Sequence, residues 1–220
     1  MKRALLVLAS GILTACASTP PQYYSLLAPG LAGDRQSAPS LAPVRANYAI
    51  SVQPVVVPEE VARPQIVVST SDNAEVIPLN AALWAAPLES QLRQVLGDAL
   101  ARRLNVMDVG QSGVADGLPL WRIYVDVQRF DSIYGESVQQ HVVWRMVPQG
   151  MPSRVRERVC SARIHQPVAS GMTSLVEGHR QGINWIAGAI ADAMPGKAAP
   201  KPFEKATVGG GLIQFRGCVG

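Results

Sequence analysis

Two stretches of alternating side chains constrain the fold of this chain most strongly. In residues 121–128, Trp121, Ile123 and Val125 alternate with side chains that face the other way, and residues 138–146 repeat the pattern. Successive side chains of a β-strand point to opposite faces, so each stretch predicts a strand with one buried face. Residues 132–136 between them predict a turn. We therefore expect an antiparallel pair here as the strongest part of a sheet.

Two other segments have the spacing of helices with a single apolar face. The first begins at Pro87, which suits the first position of a helix, and ends near Leu104. The second begins near Ser174, whose spacing to Glu177 predicts a capping box, and ends near Met194. The predicted fold is α/β (α+β): one domain with a twisted, mostly antiparallel sheet and two helices packed on one face of it.

Shorter runs predict further strands at residues 23–27, 50–57, 65–70, 74–79, 154–165 and 212–216. In the run 154–165, Arg154, Arg156 and Arg158 alternate onto one face. Two interpretations of these arginines stay open. They form either a basic stripe for lipid headgroups or an acidic partner, or an ordinary solvated face.

The amino terminus has the layout of a secretory signal. Lys2 and Arg3 precede a short apolar run, and residues 13–16 (Leu-Thr-Ala-Cys) match a bacterial lipobox. We expect removal of residues 1–15 and modification of Cys16 by acyl chains such as palmitate, which together make a stable anchor. Ala17 follows the cysteine, and its resemblance to bacterial sorting signals implies the inner leaflet of the outer membrane, with the domain facing the periplasm. The alternative is an ordinary signal that leaves Cys16 free.

These features divide the chain into a signal peptide (1–15), a lipidated tether (16–22), an α/β domain (23–194) and a flexible C-terminal tail (195–220). Residues 16–22 span roughly 20 Å at most. The chain has 20 Lys and Arg against 16 Asp and Glu residues, and Lys2 and Arg3 would leave with the signal. So small an excess of positive charge gives no reason to expect nucleic-acid binding.

Cysteine usage suggests an extracytoplasmic disulfide. If Cys16 carries lipid, only Cys160 and Cys218 remain, and an even pair in an oxidising compartment favours a disulfide between them. The alternative is two unrelated thiols, one in a strand and one in the tail.

Motifs for catalysis or cofactor binding are missing from the sequence. His141, His165 and His179 lack the spacing of zinc ligands, and no nucleophile elbow, P-loop or dinucleotide fingerprint is present. We therefore expect no catalytic residues, no metal and no cofactor, and do not expect an enzyme.

A series of short segments in a fixed order resembles a known family. The segments are Tyr23-Tyr24-Ser25-Leu26, Ile50-Ser51-Val52, Arg63-Pro64-Gln65-Ile66-Val67 and Trp84-Ala85-Ala86-Pro87-Leu88. With the lipobox, they resemble the ABC-type transport auxiliary lipoproteins, the PqiC-like family associated with membrane integrity. The resemblance covers residues 16 to about 194, and its most specific parts are the third and fourth segments.

The resemblance implies a non-catalytic lipoprotein that acts beside an MCE-domain protein and an ABC transporter in moving lipids between the inner and outer membranes. Self-association into a homo-oligomer would fit a ring-shaped partner. Tyr23 and Tyr24 are candidates for the partner surface, unless both simply pack the first strand into the sheet. Two other functions stay open: an assembly or plug lipoprotein for an outer-membrane β-barrel, and a lipid-binding carrier.

Overall fold

The computed structural model describes residues 20–27, 47–71, 75–112, 117–194, 205–208 and 210–220. Cys16, with the lipobox and the start of the tether, lies outside the described residues. The described part contains nine strands and two helices: β1 Gln22–Tyr24, β2 Ala49–Val52, β3 Gln65–Ser69, β4 Val76–Trp84, α1 Leu88–Leu104, β5 Leu120–Ile133, β6 Ser137–Gln149, β7 Arg158–Pro167, α2 Met172–Ala193, β8 Lys205–Val208 and β9 Gly211–Val219.

The nine strands form one open sheet in the order β1-β4-β3-β5-β6-β7-β9-β8, and β2 also pairs with β5. Five pairs of neighbouring strands are antiparallel: β3 with β4, β5 with β6, β6 with β7, β7 with β9, and β9 with β8. The parallel contacts are β1 with β4, β2 with β5, and one residue pair between β3 and β5. The predicted fold class, a mostly antiparallel sheet with two helices, is therefore confirmed.

The alternation in β5 and β6 produces one apolar face and one solvated face. Trp121, Ile123 and Val125 are buried, as are Trp144 and Met146 opposite them. Both helices pack on this apolar face. Their buried side chains join the same core cluster: Leu88, Leu92, Leu96 and Leu100 from α1, and Leu175, Val176, Ile183, Ile186 and Ile190 from α2.

The second helix begins earlier than the sequence predicted. It starts at Met172, and Gly171 in the N-cap position provides no side-chain hydrogen bond. The predicted capping box of Ser174 and Glu177 is therefore wrong, because Ser174 already lies inside the first turn. Gly178 and Gly182 let this helix approach the sheet closely, since a Cβ at Gly182 would lie 2.5 Å from the Oε1 of Gln140 on β6.

The arginine stripe expected on one strand is not present. Strand β7 begins only at Arg158, because a turn closed by the bond from the Val155 N–H to the Pro152 carbonyl precedes it. Arg154 and Arg156 therefore lie before the strand. Arg158 donates from Nη1 to the carbonyl of Ala193 at the end of α2, at 3.0 Å.

The carboxyl-terminal segment, expected as a flexible tail, contributes two strands to the sheet. Strand β9 pairs with β7 so that Cys218 lies directly opposite Cys160, and a disulfide joins the two residues. Strand β8 pairs with the outer edge of β9. The sequence predicted a short strand at residues 212–216, but neither β8 nor the full length of β9, because β9 depends on a partner strand some fifty residues earlier in the chain. Residues 195–204 and 209 lie outside the described residues.

Candidate partner-binding surface

The first strand places both candidate tyrosines at one edge of the sheet. Tyr23 and Tyr24 of β1 pair with Leu83 and Trp84 of β4. The side chain of Tyr23 is 66% exposed and available to a partner. Tyr24 is half-buried, packs against the core, and its hydroxyl donates to the Oε1 of Gln22 at 2.6 Å. The structure thus separates the two residues that the sequence treated as a pair.

Side chains of both helices hold the segment that follows β1. Leu26 is buried, and its N–H donates to the Oε1 of Gln91 on α1 at 2.7 Å. Arg180 on α2 donates from its guanidinium to three successive carbonyls, those of Ser25 at 2.6 Å, Leu26 at 3.2 Å and Leu27 at 3.0 Å. These charge-assisted bonds fix the amino-terminal strand to the helical layer.

Replacing Arg180 with methionine is expected to loosen this segment, because the three carbonyls lose their charged donor. A hydrogen bond to a charged group contributes about 1.5–3 kcal/mol. The three bonds share one side chain and are only part-buried, so water can replace part of what is lost, and we expect a loss of about 2 kcal/mol of local stability. The rate of hydrogen exchange of the amides in residues 22–27 measures this loss of local stability. The control is Arg103→Met, since Arg103 on α1 bonds only the Asn184 carbonyl among described contacts. Equal exchange in both variants would contradict the role given to Arg180.

A pocket of about 340 Å³ lies where β4 ends and α1 begins. Most of its lining comes from the two segments in which the family resemblance is most specific. The lining residues are Ala62, Arg63 and Pro64 on one side, and Trp84, Ala86, Pro87, Leu88 and Glu89 on the other. The backbone N–H of Trp84 donates to the carbonyl of Pro64 at 2.7 Å and joins the two sides. The pocket adjoins β1, because the N–H of Ala85 donates to the Tyr24 carbonyl at 2.8 Å.

The chemistry of this pocket suits an apolar group flanked by charges. Trp84 and Leu88 are buried and form its floor, and the Trp84 ring meets Phe130 edge to face at 6.4 Å. Ala86 is exposed at the rim, together with Arg63. A volume of about 340 Å³ is at the lower end of small-molecule pockets and also suits one or two side chains of a partner.

A second polar centre, built around His179 of α2, is fully enclosed. The Nδ1 of His179 accepts from the Nε2 of Gln140 at 3.1 Å, and its Nε2 lies 2.8 Å from the Ser132 hydroxyl. The Gln140 Nε2 also donates to the His179 carbonyl, which fixes the orientation of the Gln140 amide. Because the Nδ1 of His179 accepts a hydrogen bond, the ring proton is assigned to the Nε2 of His179. Phe130 stacks on the ring at 3.9 Å. Burial lowers the pKa of His179 to about 3, so the ring is neutral at ordinary pH.

The solvated face of the sheet carries a basic row that the sequence did not reveal. Arg129, His141 and Arg163 lie directly opposite one another on β5, β6 and β7. Burial, followed by the charges of Arg163, Arg216 and Arg129, lowers the pKa of His141, and Asp126 opposes this effect. Only the strand register reveals such a row, because its members lie far apart in the chain.

The described residues contain no group of three His, Cys, Asp or Glu side chains that could hold a metal ion. Among the helices in the described part of the chain, neither is long and apolar enough to cross a membrane.

Comparison with known proteins identifies the family. The family model for the ABC-type transport auxiliary lipoprotein component matches residues 30–191. The chain belongs to this family. The protein is therefore an auxiliary lipoprotein component associated with a transport system, in agreement with the resemblance in its short segments. The non-catalytic role expected from the sequence is consistent with this membership.

Solved structures with the same fold support the architecture of this auxiliary lipoprotein. A crystal structure of an uncharacterized protein is 24% identical, with a TM-score of 0.58, and the match covers 79% of this chain and 97% of that one. Protein XCC0632 from Xanthomonas campestris, of the family DUF330, is 15% identical, with a TM-score of 0.52, and the match covers 66% and 81% of the two chains. No curated protein matches the chain in sequence.

Proposed function

We propose that this auxiliary lipoprotein is anchored in the outer membrane through Cys16, faces the periplasm, and docks an MCE-domain protein of a lipid transport system. In this role it is a non-catalytic subunit of a system that moves lipids between the inner and outer membranes. The family match over residues 30–191 carries the proposal. The lipobox and the Cys160–Cys218 disulfide, which is typical of oxidising compartments, support the location.

The docking surface we propose combines the pocket at the end of β4 with the exposed edge of β1. Its polypeptide frame is firmly held, because Gln91 and Arg180 fix the segment after β1 from both helices. A partner side chain of apolar character would fill the space above Trp84, and Tyr23 would extend the contact along the sheet edge. Preorganised surfaces of this kind bind with little loss of conformational entropy.

Filling the pocket with a charged side chain is expected to reduce partner binding. We expect Ala86→Arg to lower recovery of the MCE-domain protein at least about tenfold, which corresponds to about 1.4 kcal/mol of binding free energy. The measurement is co-purification of the full-length, lipidated protein from mild detergent extracts, with partners identified by mass spectrometry. Ala169→Arg is the matched control, since Ala169 is also exposed but lies between β7 and α2, at the other end of the sheet.

Each outcome of this experiment is informative. Recovery of an MCE-domain protein with the wild type and with Ala169→Arg, but not with Ala86→Arg, supports the proposed role and surface. Recovery of a β-barrel protein instead would favour a role in barrel assembly. A monomer that carries bound lipid and no protein would favour a lipid carrier.

A further inference from the structure

The direction of β1 sets the direction in which the chain enters the sheet. Strand β1 is parallel to β4, so the chain before Gln22 points towards the first residues of β4, at Val76. Pro20 and Pro21 are exposed and lack the N–H groups needed to extend the pairing. In the described part of the chain, β1 consequently pairs with only the last three residues of β4.

The length of the tether matches the part of β4 that has no partner on this edge among the residues that the structure describes. Val76 lies six residues before Ala82, the partner of Gln22, a distance of roughly 20 Å along a strand. Cys16 lies six residues before Gln22 and can extend no more than roughly the same distance. Even when fully extended, the tether therefore brings the lipidated residue no further than the level of Val76. A tether that is not fully extended would place the membrane nearer to this end of the sheet.

Several connections lie at this same end of the sheet, which we call the tether end. The register places Val76 opposite Ser69, and Ser69 beside Ile133 at the end of β5. The β3–β4 and β5–β6 connections therefore lie at this end, and the first residues of β9 join them through the pairing of Leu212 with His165. The pocket beside Trp84 lies at the opposite end of β4.

Exposed apolar side chains occur at the tether end. Val76 is 49% exposed, Ile77 is 39% exposed and Tyr134, in the β5–β6 turn, is 52% exposed. An exposed tyrosine and aliphatic side chains at the end of a sheet suit the boundary between headgroups and acyl chains. Glu75 and Glu136 are exposed beside them, which limits insertion to the headgroup level.

We propose that the tether end of the sheet is a membrane-contacting surface, in which Val76, Ile77 and Tyr134 rest on the lipid leaflet that holds the anchor. The proposal depends on the lipid anchor of the proposed function and extends it by orienting the domain. In this orientation the pocket beside Trp84 faces away from the membrane, towards a partner that approaches through the periplasm.

Tryptophan substitutions and brominated lipids test this orientation. The full-length, lipidated protein is placed in vesicles of phosphatidylethanolamine and phosphatidylglycerol with bromine on the acyl chains near the headgroups. The fluorescence added by Ile77→Trp and by Tyr134→Trp is compared with that added by Val219→Trp. Val219 is 71% exposed and lies at the other end of the sheet. Side chains at the interface enter about 5–10 Å, so we expect at least about twofold more quenching at both test positions.

Flotation of the vesicles separates the proposal from the anchor itself. If all variants float and Ile77→Trp and Tyr134→Trp are quenched more than Val219→Trp, the proposal is supported. If all float and the three positions are quenched equally, the membrane-contacting surface is wrong, while docking of an MCE-domain protein stays open to the co-purification test. Failure of the wild type to float would overturn both the anchor and this surface.

Discussion

Removing the Cys160–Cys218 disulfide is expected to lower the free energy of unfolding by about 4 kcal/mol, because the bond closes a loop between residues 58 positions apart. In the chain-entropy model, such a loop restricts the unfolded chain and destabilises it relative to the fold. Cys160 is buried and Cys218 lies near the carboxyl end of the last strand. The bond therefore also attaches β9 to the sheet. It holds β8 indirectly, because β8 pairs with β9.

The experiment compares urea unfolding of the wild type with that of the double variant Cys160→Ala/Cys218→Ala. Reduction of the wild type by dithiothreitol is the control, since it breaks the bond without changing the sequence. Both should lower the midpoint by similar amounts, and hydrogen exchange should increase first in β8 and β9. A double variant as stable as the wild type, or free thiols at Cys160 and Cys218 in the native protein, would contradict the disulfide.

Acidification is expected to destabilise the protein through His179. Its pKa is about 3 in the folded state, because of burial, against 6.5 for an unperturbed histidine. Between these values the unfolded state binds more protons than the folded state, so stability rises with pH. The contribution is complete above about pH 6.5 and is lost as the pH falls towards 3, at roughly 1 kcal/mol per pH unit.

A matched pair of variants isolates this effect. His179→Gln should reduce the slope of unfolding free energy against pH between pH 6 and 4 by roughly 1 kcal/mol per unit. It should also lower stability at pH 7, because Ser132 and Gln140 lose the ring as their partner. His165→Gln is the control, since His165 lies on β7 and is exposed, whereas His179 is buried. A slope that is the same in all three proteins would contradict the titration of His179.

Local patterns were sufficient to predict the elements with strong periodicity. The alternation in β5 and β6 and the leucine stripe of α1 each have a single buried face, and the structure buries those faces. Even the end of α1 at Leu104 agrees with the prediction, because Asn105 adopts a left-handed conformation that stops the helix. His179 also lies on the apolar stripe of α2, three residues after Val176 and four before Ile183. The burial of its side chain could therefore have been predicted from the helical spacing alone.

Contacts between distant segments could not be predicted in the same way. The parallel pairing of β1 with β4 joins residues about sixty positions apart, and the pocket depends on a β3–β4 register that includes an irregularity between Gln65 and Val67. Arg180 is another example, because nothing near it in the sequence shows that it bonds the carbonyls after β1. The sequence marked the segments around Pro64 and Trp84 as family features, but only the hairpin brings them together.

The parallel orientation of β1 also has a mechanical consequence. A lipid anchor at residue 16 would pull the strand along its own axis, away from Tyr24 and towards Val76. In this geometry the hydrogen bonds between β1 and β4 are loaded in shear and share the force, rather than opening one after another. The hydrogen bonds from Arg180 hold residues 25–27, which directly follow the strand that would carry the force. If the chain is anchored at residue 16 as we propose, the connection between anchor and domain would withstand tension between the membrane and a bound partner.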